Sequence, residues 1–206
     1  TISLMVQVHK SKEYRAYQYL QHWKRVSVIL PPQKLFDPKD KHYHLFSYIY
    51  TKTKEFYDTL PLRKNGEKPF IHPINVVYGL RLADVKDPVI LCSGLLHDYI
   101  EEKVDFYKKK HGLGLTKNDV QVLDEYAKIV SSNLERVILQ YCIKNKIKKD
   151  IISDIITITN LLTRYKKNYY YYFICMIFTH KNTFEKEKAI IIKLSDRMHN
   201  ILSIES

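Results

Sequence analysis

Apolar residues recur every three or four positions along most of this chain, a spacing typical of amphipathic helices. The pattern predicts a first helix over residues 11–29, followed by a linker rich in proline and charge. A second helix is predicted over residues 44–60, where Pro61 ends it. A third begins at Pro73, because proline suits the first turn of a helix. The apolar segment "DPVILCSGLLHDYIEE", residues 87–102, predicts the most buried helix of the chain.

Helical spacing continues through the second half of the chain. It predicts helices near 117–130 and 133–143, two core helices in "DIISDIITITNLLTRY" and "YYYYFICMIF", and a last helix over about 185–202. The sequence shows no sustained period-two alternation, and its five glycines and seven prolines favour long helices over a turn-rich β fold. We therefore predict an all-α helical bundle.

Four potential metal ligands lie in three separate segments of the chain. They are His72 in "KPFIHP", the adjacent His97 and Asp98 in "GLLHDYIEE", and Asp196 in "IIIKLSDRMHN". Imidazole and carboxylate groups together suit a divalent metal that activates water. A carboxylate such as that of Asp98, which lies in an apolar segment, is costly to bury unless it is paired or coordinated. The sequence therefore predicts a metal site built from these four residues.

Two further carboxylates follow the His-Asp pair. On a helix Glu101 shares a face with His97, and Glu102 shares one with Asp98, because each pair is four residues apart. At those offsets a carboxylate can accept a proton from water at the metal site. The alternative is that both glutamates are solvated charges at the end of a helix.

The formal charge of +12 has three explanations. Lys, Ile, Asn and Tyr are abundant and share AT-rich codons, so the charge can follow from composition alone. A positive charge also attracts a highly anionic small substrate. Nucleic-acid binding is the least favoured of the three interpretations.

Cysteine usage and hydropathy indicate the compartment. Cys92, Cys142 and Cys175 are scattered in apolar stretches without a CxxC pair, which predicts buried free thiols in a reducing, intracellular environment. The longest apolar run is too short to span a bilayer, so no membrane partner is expected. A cytoplasmic location is the default, but the chain opens at Thr1 without methionine, which leaves organelle targeting by an upstream segment open.

The ligand-bearing segments also resemble the motifs of HD-domain metal-dependent phosphohydrolases. They are most similar to the hydrolase domain of RelA/SpoT-homologue alarmone enzymes, whose motifs read approximately R-x-S-G-E-P-Y-x-x-H-P, H-D-x-x-E-D and I-K-L-A-D-R-L-H-N. The matching segments here are "RKNGEKPFIHP" from Arg63 to Pro73, "HDYIEE" from His97 to Glu102, and "IKLSDRMHN" from Ile192 to Asn200. The resemblance covers about residues 41–206.

The resemblance implies a domain organisation and an activity. Residues 41–206 would form an HD-domain helical bundle with a polar, lysine-rich insertion within about 103–150, and residues 1–40 would be an N-terminal helical extension and linker. The implied activity is metal-dependent removal of the 3′-pyrophosphate from guanosine 3′,5′-bis(diphosphate), with Mn²⁺ as the cofactor. A phosphorylated guanosine nucleotide would be the partner, and homo-oligomer formation is left open.

It also implies roles for individual residues. Glu101 and Glu102 would be catalytic, although Glu102 stands where the family has aspartate. The nucleotide-binding residues implied by the motifs are Arg63, Lys64, Asn200 and Ser203. Leu202 departs from the family, because that position is often arginine.

Alternatives to this function remain open at the level of the sequence. The chain could be a broader phosphatase of nucleotides that carry a 2′ or 3′ phosphate. It could also be a regulatory domain that binds nucleotide but is catalytically weak. Arg63 and Lys64 could belong to a solvated basic loop without a ligand.

Overall fold

The structure is a computed structural model that describes residues 24–63, 65–164 and 170–204. These residues contain helices and no strand, which confirms the predicted all-α fold. The helices are α1 Pro32–Leu35, α2 Tyr43–Tyr57, α3 Ile71–Leu82, α4 Pro88–Leu96, α5 Tyr99–Lys110, α6 Lys117–Lys144, α7 Ile152–Leu162, α8 Tyr170–Phe178 and α9 Thr183–Ile204.

Helix α4 lies at the centre of the bundle. It packs against α2, α3, α7 and α9, and from Val89 to Leu96 its residues are buried. Its first turn is fixed by Asp87, whose carboxylate accepts hydrogen bonds from the backbone N–H groups of Val89 and Ile90. Asp87 also forms an ion pair with Lys188 of α9. The start of the central helix is therefore tied to the helix that carries Asp196.

Close packing of α3 on α4 depends on one glycine. A Cβ atom at Gly94 would lie 3.1 Å from Leu80 Cδ1 and 3.3 Å from Val77 Cγ2. Glycine therefore lets the two helices approach closely where α4 ends and His97 follows. This approach brings the first turn of α3, with His72, beside the end of α4.

The predicted helix over residues 87–102 is wrong as a single element. It ends at Leu96, His97 and Asp98 form a turn, and α5 begins at Tyr99. Asp98 leaves helical geometry, with φ −106° and ψ 1°. Successive side chains of a regular helix point about 100° apart, so a break here allows the adjacent His97 and Asp98 to face one point.

The two helices predicted near 117–130 and 133–143 are one continuous helix, α6, of 28 residues. A capping box of Thr116 and Asp119 begins it. Its buried residues keep a spacing of three or four across the predicted gap and are Leu123, Ala127, Val130, Leu134, Ile138 and Cys142. Because this stripe is unbroken, packing holds the helix together through Ser131 and Ser132.

The remaining boundaries agree closely with the sequence predictions, apart from the first helix. Residues 24–29 are not helical, and the rest of the helix predicted over 11–29 lies outside the described residues. Cys92 and Cys142 are buried, as predicted, whereas Cys175 is only partly buried. The domain boundary at residue 40 and the insertion stay predictions. Among the described residues, no helix is both long and apolar enough to cross a membrane.

Candidate metal centre

The structure brings together the four residues predicted to bind metal. His72 lies in the first turn of α3, His97 and Asp98 form the turn between α4 and α5, and Asp196 lies within α9. One donor atom from each residue can be chosen so that all four lie within 4.8 Å of one another. Three of the side chains are almost fully buried, and that of Asp98 is 23% exposed.

The spacing of these donor atoms suits a metal ion. His72 Nε2 and His97 Nε2 are 3.1 Å apart. Asp98 Oδ2 is 3.2 Å from His72 Nε2 and 3.1 Å from His97 Nε2. Asp196 Oδ1 is 3.4 Å from His72 Nε2 and 4.0 Å from His97 Nε2. Atoms bound at right angles to an ion with bonds of about 2.1 Å lie about 3 Å apart, so the cluster fits a divalent cation.

Hydrogen bonds outside the cluster fix the orientation of both imidazoles. His97 Nδ1 donates to the Gly94 carbonyl oxygen at 2.8 Å, which directs Nε2 to the centre. His72 Nδ1 lies 2.8 Å from His199 Nδ1, and His199 Nε2 lies 3.3 Å from Ser203 Oγ. If His72 Nε2 bound a metal through its lone pair, His72 Nδ1 would carry a hydrogen and would donate it to His199 Nδ1. His199 Nε2 would then donate to Ser203 Oγ. Such outer bonds hold ligating histidines in one tautomer.

The charges of the cluster are consistent with this proton arrangement. Burial, the charge of His72 and the nearby Arg63 lower the pKa of His199 to about 3, so this ring is a neutral acceptor. Burial alone would raise the pKa of Asp98 and of Asp196. The neighbouring histidines outweigh burial and hold both pKa values well below their usual range. Both aspartates therefore present full negative charges to a cation.

Asp196 is held by residues of its own helix. Asn200 Nδ2 donates to Asp196 Oδ1 at 2.7 Å, and Lys193 Nζ lies 2.6 Å from Asp196 Oδ2. Asn200 was predicted to bind nucleotide, and Ser203 likewise. The structure places Asn200 against Asp196 and Ser203 against His199, whose carbonyl oxygen accepts a hydrogen bond from the Ser203 hydroxyl at 2.8 Å. Their contact with nucleotide stays a prediction.

His199 is a functional candidate that the sequence analysis missed. The available signal was its position three residues after Asp196, on the same helix. We expect His199→Ala to lower metal affinity by about 10- to 100-fold, as for loss of other groups that orient a ligand. Metal titration against a chelator measures this, with the exposed His111→Ala as control. Equal affinity in the two variants would show that His199 does not support His72.

Glu101 and Glu102 lie on α5 and are partly buried. Glu101 Oε2 accepts a hydrogen bond from the backbone N–H of Arg164 at 3.1 Å. Burial and the charge of Asp98 raise the pKa of Glu101 to about 8, and the same two causes raise the pKa of Glu102. A carboxyl group that titrates near neutral pH is suited to proton transfer.

The raised pKa of Glu101 predicts a pH-dependent stability of the metal-free protein. A carboxyl with pKa about 8 when folded and about 4.5 when unfolded destabilises the fold progressively between those values. We expect Glu101→Gln, which keeps an acceptor for Arg164, to remove this loss. The free energy of unfolding of the variant should exceed that of the wild type at pH 8. This difference between the two proteins should be larger at pH 8 than at pH 5 by on the order of 2–4 kcal/mol. Urea unfolding with EDTA at both pH values measures this difference. The same stability difference between variant and wild type at pH 5 and at pH 8 would contradict the prediction.

The loop before α3 carries Arg63, while Lys64 lies outside the described residues. The backbone N–H of Arg63 donates to the Glu67 carbonyl oxygen at 2.9 Å, and Gly66 closes the turn with φ +81°. Arg25, which the sequence analysis did not identify, donates to Glu67 Oε1 at 2.7 Å. Arg25 and Arg63 both lower the pKa of His199, so both charges lie near the metal centre.

The side chain of Asn75 in α3 forms hydrogen bonds with the backbone of the segment that contains Arg25. Its side-chain oxygen accepts from the Val26 N–H at 2.7 Å, and its amide donates to the Val26 carbonyl oxygen at 2.9 Å. These bonds pair the backbone of a non-helical segment with a buried side chain. They also place a second arginine beside the Arg63 loop.

Comparison with known proteins gives one distant similarity. The chain is 26% identical over 143 residues to a Mycoplasma genitalium protein named "Probable guanosine-3′,5′-bis(diphosphate) 3′-pyrophosphohydrolase". The match covers 69% of this chain and 16% of that protein, so the chain spans about a sixth of the relative's length. No family model matches the chain, and no solved structure matches it.

Proposed function

We propose that this chain is a metal-dependent phosphohydrolase that removes the 3′-pyrophosphate of guanosine 3′,5′-bis(diphosphate). The observation that carries the proposal is the convergence of His72, His97, Asp98 and Asp196 beside a carboxyl group of raised pKa. The similarity to the mycoplasma protein supports the choice of substrate. The motif resemblance favours Mn²⁺, which an imidazole and carboxylate donor set accepts.

The groups at the site have three proposed roles, which are to supply positive charge, to transfer protons and to orient side chains. A bound divalent ion would supply positive charge to a phosphoryl group and activate water. Glu101, with a pKa of about 8, takes a proton from the attacking water and can return it to the leaving oxygen. Glu102 supports the same transfer with its own raised pKa. His199 and Asn200 orient the ligating side chains.

Arg63 and Lys64 are the proposed phosphate and base contacts, together with Asn200 and Ser203. A guanidinium pairs with phosphate through two hydrogen bonds and stacks on a purine. The Arg63 charge lies near the centre, and Arg25 steadies the same loop through Glu67. The overall charge of +12 would increase the encounter rate with a highly anionic nucleotide.

We expect Arg63→Ala to raise the Michaelis constant more than it lowers turnover, because Arg63 binds substrate rather than the reacting atoms. The loss should be on the order of 1–3 kcal/mol, as for a charged hydrogen bond. Steady-state kinetics measures it, with the exposed Arg136→Ala as control. Asn200→Ala should in addition lower metal affinity, because Asn200 contacts Asp196. A fall in turnover alone for Arg63→Ala would contradict the binding role.

A broader nucleotide phosphatase is the second candidate, and Leu202 favours it. Leucine cannot contact phosphate through charge, so selectivity for guanosine 3′,5′-bis(diphosphate) over simpler 3′-phosphorylated nucleotides should be modest. The experiment is incubation of purified protein and Mn²⁺ with a panel of phosphorylated nucleotides, followed by product chromatography. Pyrophosphate release from the guanosine compound supports the main proposal. A preference of many thousandfold for it would exclude the broad phosphatase.

A further inference from the structure

A cavity of about 590 Å³ lies between α5, α6, α7 and α8, and none of the four candidate metal ligands lines it. Its volume is in the range of small-molecule sites. One wall is α6, whose residues have no counterpart in the motifs that carry the family resemblance. The described structure therefore contains a second concave site that is not lined by the residues proposed for hydrolysis or nucleotide binding.

The lining of this cavity combines positive charge, hydroxyl groups and apolar surface. Lys128 and Arg164 contribute cations, and Asp124 is an acidic residue among those that line it. Ser131 Oγ accepts a hydrogen bond from Asn160 Nδ2 at 2.9 Å, so its own hydroxyl hydrogen can still be donated to a ligand. A site with hydrogen-bond donors and cations beside an apolar wall is suited to bind an anion that carries an organic group.

Residues that line the cavity connect to the metal centre along two routes. Ile100 lines the cavity directly before Glu101, and Arg164, which also lines it, donates its backbone N–H to Glu101. On the other side Phe173 lines the cavity, and Lys193 Nζ lies 5.3 Å from the centre of the Phe173 ring. Lys193 in turn pairs with Asp196. The cavity thus adjoins both a proposed catalytic carboxylate and a metal-ligand residue.

We propose that this cavity binds an organic phosphate of nucleotide size through Lys128, Ser131 and Arg164. Inorganic phosphate alone would leave most of the volume and the apolar wall unused. The same chemistry could come from a separate phosphorylated molecule or from the phosphorylated end of a substrate whose other end lies at the metal. Both sources place phosphate beside the same cations.

The test is binding of guanosine 5′-diphosphate to the full chain in EDTA, measured by titration calorimetry. Binding should not require metal, and uncharged guanosine should bind much more weakly. Lys128→Glu should weaken binding by about tenfold or more, as for loss of a charged hydrogen bond. Lys128 is exposed, so this change should leave the fold intact. Lys117 is exposed at the start of the same helix, so Lys117→Glu, which makes the same change of charge, is the matched control and should bind as the wild type does.

Arg63→Ala separates the cavity from the proposed nucleotide contacts, because binding at the cavity should survive this change whereas binding at those contacts should be lost. The proposal is overturned if the wild type does not bind the probe, or if Arg63→Ala abolishes binding while Lys128→Glu leaves it unchanged. Neither result depends on hydrolysis, so the proposed function is tested separately. Where hydrolysis is observed, competitive inhibition by guanosine 5′-diphosphate that Lys128→Glu relieves assigns the cavity to the substrate's own distal phosphate. Noncompetitive inhibition assigns it to a second molecule.

Discussion

Replacement of Asp98 and Asp196 together by alanine is expected to abolish binding of the divalent ion. The two carboxylates carry the negative charge of the cluster, and their pKa values lie well below the usual range. Without them the ion would be held by His72 and His97 alone, in a site that is otherwise almost closed to water. Loss of charge compensation in a buried site should outweigh the remaining nitrogen bonds.

Elemental analysis and thermal unfolding with and without Mn²⁺ measure this outcome. Metal at 1,000 times its dissociation constant should stabilise the wild type by about 4 kcal/mol, and the double variant should gain nothing. Glu55→Ala with Asp58→Ala is the matched control, because it also removes two negative charges but from exposed positions. Absence of metal from carefully supplemented wild type would refute the metal assignment.

The second large effect is expected from Glu101→Gln. Turnover should fall by about a hundredfold or more, the scale for loss of a general acid–base group. Glutamine keeps an oxygen for the Arg164 N–H, so the local structure should persist while proton transfer is lost. Metal content and nucleotide affinity should stay nearly unchanged, which separates a chemical role from a structural one.

Glu102→Gln and the exposed Glu125→Gln complete this experiment. Glu125→Gln should leave turnover unchanged. Glu102→Gln should lower turnover if the Glu102 side chain, which is longer than aspartate, takes the role of the family's aspartate. Unchanged turnover in both Glu101→Gln and Glu102→Gln would remove them from the chemistry. Undetectable wild-type turnover with tight nucleotide binding would instead favour the regulatory domain.

Local sequence was sufficient to predict several of the helices and to identify four residues that could bind a metal. A spacing of three or four apolar positions is a property of one segment, so α2, α3, α7 and α9 could be predicted within a few residues of their ends. The ligand set could be predicted because each carboxylate or imidazole stands out in an apolar run. The order His72, His97–Asp98 and Asp196 is likewise visible without any fold.

Tertiary packing alone decided how these segments meet. The break at His97 and Asp98 is not visible in periodicity, because Leu96, Ile100 and Val104 keep a spacing of four residues across it. Only in the structure does α5 turn away to pack on α6. Conversely, the unbroken stripe of α6 overrode the polar interval at Ser131 and Ser132. Both differences arise because a helix end depends on the surface available to cover it.

The partners of the ligand side chains were also fixed only by the fold. His199 Nδ1 lies 2.8 Å from Nδ1 of His72, a residue 127 positions away, and Arg25 pairs with Glu67 across 42 positions. Hydrogen bonds act over about 3 Å, whereas a sequence pattern reports only neighbours along one helix or strand. The sequence by itself therefore determined which residues could bind a metal. The packing of α3, α4 and α9 determined that their donor atoms share one centre and which groups orient them.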